Sequence, residues 1–66
     1  MLVIRYTNHG SEFTKEYKDI NAFLGAQLLE VPELQDFYEI ISVTLDGEPV
    51  VLDDMTVGGL FNKLNK

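Results

Sequence analysis

A chain of 66 residues with no cysteine and one histidine can hold a single small domain, without disulfides and with little ligand chemistry to reinforce it. Eleven carboxylates against five cationic side chains set the formal net charge at −6, which disfavours nucleic acid, because affinity for phosphate backbones rests on Lys and Arg. The N-terminal apolar run stops at Arg5, far short of a membrane span or a secretory core, so the expected address is cytoplasmic with no membrane partner.

Hydrophobic residues make up 45% of the chain and fall in periodic segments, so the chain is expected to fold despite its charge. A domain this short buries only about 60% of the surface that its unfolded form exposes, which leaves good packing or self-association as its sources of stability. The cations Arg5, Lys15, Lys18, Lys63 and Lys66 all lie towards the two ends. Between them, from Asp19 to Asn62, nine carboxylates occur without a single base.

Leu2 to Thr7 alternates Leu2, Ile4 and Tyr6 against Val3, Arg5 and Thr7, a period-two pattern that predicts a strand. Asn8-His9-Gly10-Ser11 reads as a turn and Glu12 to Tyr17 as the returning strand. Setting Tyr6 opposite Phe13 gathers Leu2, Ile4, Tyr6, Phe13 and Tyr17 on one face, whereas a slip of one residue would scatter them. Lys15 then points to the inner face, a device that suits an outer strand.

Asp19 is a good N-cap, and Ile20, Phe23, Leu24, Gln27 and Leu28 follow at helical spacing, which predicts a helix ending near Glu30. Pro32 stops it, and Val31 to Phe37 is expected to be an irregular connection that tucks Leu34 and Phe37 inward. Glu39 to Leu45 alternates again, and Asp46-Gly47 is the strongest hairpin signal in the chain. A two-residue loop there sets Val43 opposite Val50 and Ile41 opposite Leu52, with Ile41, Val43, Leu45, Val50 and Leu52 on the core face. Pro49 marks the last strand as a sheet edge. Thr56 caps a final helix with Val57, Leu60, Phe61 and Leu64 on one stripe and Lys63 and Lys66 near its C-terminal end. The expected fold is α+β, in the order ββαββα, with a four-stranded, mainly antiparallel sheet ordered 2-1-3-4 and two helices on one face.

Residues that could carry chemistry each have a local account. His9 and Ser11 invite a nucleophile reading, but a tight turn supplies neither a pocket nor oxyanion donors. Asp46, Glu48, Asp53 and Asp54 could attract a hard cation, yet their spacing matches no calcium loop. Gly58-Gly59 in the first turn of the last helix costs about 1 kcal/mol per residue relative to alanine. Either an anion at the helix N-terminus or a close backbone approach would explain it. The residues therefore define no catalytic, cofactor or metal site, and a non-enzymatic domain is expected.

The other sheet face carries Val3, Arg5, Thr14, Glu16, Ile40, Ser42, Thr44 and Val51. There Val3, Ile40 and Val51, with Tyr38 nearby in sequence, form the candidate interface, an apolar island on a polar face. The expected partner is another protein, either one with a basic surface or a second copy in a homodimer. An alternative is an acidic inhibitor that occupies a basic nucleic-acid-binding surface on its target, with carboxylates in place of phosphates.

The segment Thr56-Val57-Gly58-Gly59-Leu60-Phe61 after a β-hairpin is superficially similar to the Thr-Val-x-x-Leu helix start of ubiquitin-like sulfur carriers. Their chemistry depends on a C-terminal Gly-Gly, and here the pair is internal. Over most of its length the chain more closely resembles a family of small uncharacterised proteins of Gram-positive bacteria. The shared outline is an N-terminal hairpin, a Phe- and Leu-rich helix, a strand-turn-strand with an x-Gly turn and a final Thr-Val/Ile-Gly-x-Leu helix. That resemblance implies the fold and no activity.

Overall fold

His9 and Gly10 both take positive φ angles, 54° and 80°, the backbone handedness that matches the twist of two antiparallel strands. The chain therefore reverses over two residues, and β1 (Leu2–Asn8) pairs with β2 (Ser11–Tyr17) in the register that sets Tyr6 opposite Phe13. Asp46 and Gly47 repeat the geometry at 52° and 84° between β3 (Glu39–Leu45) and the two-residue β4 (Glu48–Pro49). This computed structural model describes residues 1–65, so the predicted role of Lys66 at the last helix lies outside the described residues. The sheet order is β2-β1-β3-β4, all antiparallel, and α1 (Ile20–Gln27) and α2 (Val57–Leu64) complete the predicted ββαββα order.

One buried cluster joins the layers. Leu2, Ile4, Tyr17, Ile40 and Val43 come from the sheet, Phe23 from α1, Val57 and Leu60 from α2, and Leu34 from the long connection. Asp19 Oδ1 accepts from the Ala22 amide at 2.8 Å and starts α1, while Thr56 Oγ1 accepts from the Gly59 amide at 3.0 Å and starts α2.

The β1–β3 register departs from uniform alternation. Arg5 faces Ser42 but Tyr6 faces Ile40, leaving Ile41 as the extra residue of a bulge. Ile40, expected on the outer face, is therefore buried at 5% exposure, and Ile41, expected in the core, is 40% exposed. The cause lies on the far side of β3, where the Ile40 amide donates to the Met55 carbonyl at 2.8 Å and Glu39 bridges Thr56. The segment that leads into α2 thus replaces β4 along the first half of β3. The Val50 amide still donates to the Val43 carbonyl at 2.9 Å, but β4 ends at Pro49 and the expected Ile41–Leu52 pair does not form.

Helix α1 also stops earlier than its apolar spacing predicts, at Gln27, and Leu28 is exposed. The Gln27 amide explains the stop. Its Nε2 donates to the Leu34 carbonyl at 2.8 Å and its Oε1 accepts from the Leu34 amide at 3.1 Å, so one side chain folds the connection back on the helix. Leu34 is buried as expected, whereas Phe37 turns outward.

Candidate functional site

An eight-residue helix is about 12 Å long and a seven-residue strand about 23 Å, so the two helices roof only part of the sheet. Leu2 and Ile4 lie under that roof. Tyr6, on the same face of β1, lies where it ends, and four aromatic rings line up across the strands there. Phe13 of β2 stacks on Tyr6 at 5.7 Å between ring centroids, Tyr6 stacks on Tyr38 at 5.4 Å with ring planes 3° apart, and Phe37 meets Tyr38 edge-on at 5.1 Å. These are the offset-stacked and edge-to-face geometries that aromatic quadrupoles favour.

The inner rings are held and the outer rings are open. Asn8 Nδ2 donates to Tyr38 Oη at 3.3 Å, and the Val57 amide donates to the Tyr38 carbonyl at 3.0 Å. Burial, with the neighbouring Tyr38 adding to it, pushes the Tyr6 hydroxyl pKa up, so Tyr6 remains a neutral ring. At the two ends of the row Phe13 is 46% exposed and Phe37 is 69% exposed. A shallow open cleft of about 370 Å³ adjoins the row, lined by Thr7, Asn8, His9, Gly10, Phe37, Tyr38 and Glu39. Its titratable side chains besides Tyr38 are His9, exposed at the turn, and Glu39.

The predicted interface residues are not gathered. Tyr38 sits in the aromatic row, Ile40 is in the core, Val3 is half-buried on β1 between Glu16 and Thr44, and Val51 is 75% exposed beyond β4. The bulge removes Ile40 from the outer face, and the early end of β4 removes Val51 from the sheet. Phe13 is expected inside because its sheet face is the one the helices need, and Phe37 because the connection from Val31 is expected to tuck it inward; both are exposed instead. The lengths of the two helical stripes relative to the strands are the signal that would have exposed them.

Other polar features are absorbed by the fold. Asp46 is bound by the Met1 amino group, and Asp54 Oδ1 accepts from Thr56 Oγ1 at 3.0 Å. Among the described residues no three His, Cys, Asp or Glu side chains are placed to hold a metal ion. The amides at the start of α2 are taken: Val57 donates to Tyr38, Gly58 to Asp36 at 3.0 Å and Gly59 to Thr56. An anion would have to displace these bonds. A Cβ on Gly59 would lie 2.3 Å from the Asp54 carbonyl oxygen, so the close approach that demands glycine is to the chain just ahead of the helix. Arg5 pairs with Glu12 at 2.8 Å and Lys15 approaches Glu33 at 3.8 Å. No helix of the described residues is long and apolar enough to cross a membrane.

No curated protein and no solved structure matches this chain. One family does, over residues 2–66, and the chain belongs to it: the family described as Domain of unknown function (DUF4649).

Proposed function

We propose that this chain is a non-enzymatic, cytoplasmic protein-interaction domain that presents the Phe13–Tyr6–Tyr38–Phe37 row to a protein partner. The observation that carries the reading is the row itself: large outer rings are open to solvent while the rings between them are fixed by stacking and by Asn8. Rigid aromatic side chains supply contact area at low entropic cost and dominate interface energetics. The reading calls for no cofactor or metal.

A second reading, an acidic domain that occupies a basic nucleic-acid-binding surface, draws support from Arg5 and Lys15. Arg5 is taken up by Glu12, and of the nine carboxylates between Asp19 and Asn62 only Glu33, beside Lys15, and Asp46, beside the Met1 amino group, pair with a cation among the described residues. Affinity purification from the source cell at low and high salt, with wild type, Phe13→Ser and Phe37→Ser, separates the two. The aromatic reading predicts a partner that survives salt and is lost with either serine variant. The acidic reading predicts one lost with salt and indifferent to both variants. Retention unaffected by either serine variant rejects the aromatic reading.

A further inference from the structure

The two-residue turn fixes which backbone groups of β2 face solvent. Asn8 and Ser11 close the hairpin, so Tyr6 with Phe13 and Ile4 with Lys15 exchange hydrogen bonds across β1–β2. Glu12, Thr14 and Glu16 therefore aim their amides and carbonyls outward from the edge of the sheet. Exposed edges are commonly guarded by charge. Here Lys15 turns inward, 5.5 Å above the Tyr17 ring and 3.8 Å from Glu33, and Glu12 is held by Arg5. The inward Lys15 discourages indiscriminate edge pairing, so a register that pairs this edge must set Lys15 opposite an uncharged residue.

We propose that this edge pairs with the β2 edge of a second copy, antiparallel about a two-fold axis at Phe13, so that two four-stranded sheets become one. The inference rests on the protein-interaction reading and names the partner. Outward groups lie on alternate residues, so a symmetric pair that uses them must centre on a residue. Centred on Glu12, Lys15 or Glu16, the pair opposes identical charges. Centred on Thr14, it sets Glu12 against the partner's Glu16 twice over, and centred on Ser11 or Tyr17 the strands barely overlap. Centred on Phe13, Glu12 meets the partner's Thr14 and Ser11 meets the partner's Lys15. Phe13 then meets the partner's Phe13 at a non-hydrogen-bonded position, where side chains come closest. The aromatic row, which ends at an open Phe13 in one copy, runs unbroken through both.

The axis is perpendicular to the sheet, so the helices of both copies share a face. Phe23 of α1 packs on Tyr17 at the far end of β2, so α1 and its counterpart stand at opposite ends of the joint. Each copy carries a formal charge of −6, so added salt tightens this association, the opposite of its effect on a complex with a basic partner.

Sedimentation velocity from micromolar to millimolar protein, at low and at molar salt, tests the proposal together with two variants. Thr14→Pro removes an outward amide without touching the β1–β2 ladder. It is expected to preserve the circular dichroism spectrum and to weaken the dimer by about tenfold or more, through two symmetry-related hydrogen bonds. Phe13→Cys places the only cysteine of the chain opposite its copy at a Cα separation of about 4.5 Å, within disulfide range. It is expected to oxidise to a covalent dimer, while Ser11→Cys does not. A chain that stays monomeric at millimolar concentration in both salts, a dimer untouched by Thr14→Pro, or equal cross-linking of the two cysteine variants overturns the proposal. A monomer that still retains a heterologous partner through Phe13 and Phe37 removes the homodimer and leaves the interaction reading standing.

Discussion

Glycine to alanine inside a helix ordinarily stabilises a protein by about 1 kcal/mol. Two glycines here are expected to respond with opposite signs. Gly25 lies in α1 with nothing within 4 Å of the position a Cβ would take, so Gly25→Ala should gain about 0.5–1 kcal/mol from propensity alone. Gly59 lies in the first turn of α2, where a Cβ would stand 2.3 Å from the Asp54 carbonyl oxygen and 2.6 Å from Asp54 Cβ. Comfortable carbon contacts are about 3.5–4.0 Å, so Asp54 would have to retreat by roughly 1 Å. Asp54 also accepts the hydroxyl hydrogen bond of the capping Thr56, so its retreat disturbs the cap. Overpacking costs about 1–3 kcal/mol and a weakened cap about 1 kcal/mol, against about 1 kcal/mol of propensity gained, which leaves Gly59→Ala destabilised by about 1–3 kcal/mol. On a domain whose total stability is on the order of 3–10 kcal/mol, urea unfolding resolves both shifts. A Gly59→Ala midpoint at or above wild type refutes the steric argument.

The bulge makes Ile40→Ala cost about 2–4 kcal/mol and Ile41→Ala less than about 1 kcal/mol, and equal losses in urea unfolding would reject it. Gln27→Ala strands the buried Leu34 amide and carbonyl, so a loss of about 2–3 kcal/mol is expected, with faster hydrogen exchange at Leu34. Burial, reinforced by the 2.9 Å hydrogen bond to Glu33, pushes the Tyr17 pKa upward. The folded value lies above the unfolded one, so the contribution of Tyr17 to stability is complete below the unfolded value of about 10 and is lost as pH rises towards the folded one. Unfolding measured from neutral to strongly alkaline pH should show that decline, and Tyr17→Phe should reduce it; an unchanged alkaline limb in the variant would contradict the assignment.

Most of the fold was legible because its signals are local. His9-Gly10 and Asp46-Gly47 state their turn geometry in two residues, and Asp19 and Thr56 state their caps in four. The register of β1 on β2 was legible because only one alignment keeps Tyr6 and Phe13 on the side of Leu2 and Ile4. The bulge was not, since Ile40 and Ile41 are identical side chains and alternation cannot say which turns inward. That choice is made by Met55, distant in sequence, whose carbonyl captures the Ile40 amide. The same reason hid the candidate site: hydrophobicity places Phe13 and Phe37 inside, and only the reach of helices formed elsewhere in the chain leaves them outside.

β1 occupies the middle of the sheet, with β2 on one side and β3 on the other. Its first neighbour arrives after a two-residue turn, but Leu2 reaches its second only when Leu45 returns. The β1–β2 hairpin can form in microseconds, whereas closure of β3 on β1 must wait for the long loop to be organised, so that step is expected to limit the folding rate. During synthesis the inner edge of β1 stays unpaired until β3 is made. In that interval β1, with Leu2, Val3 and Ile4, is the strand most open to pairing with a wrong neighbour.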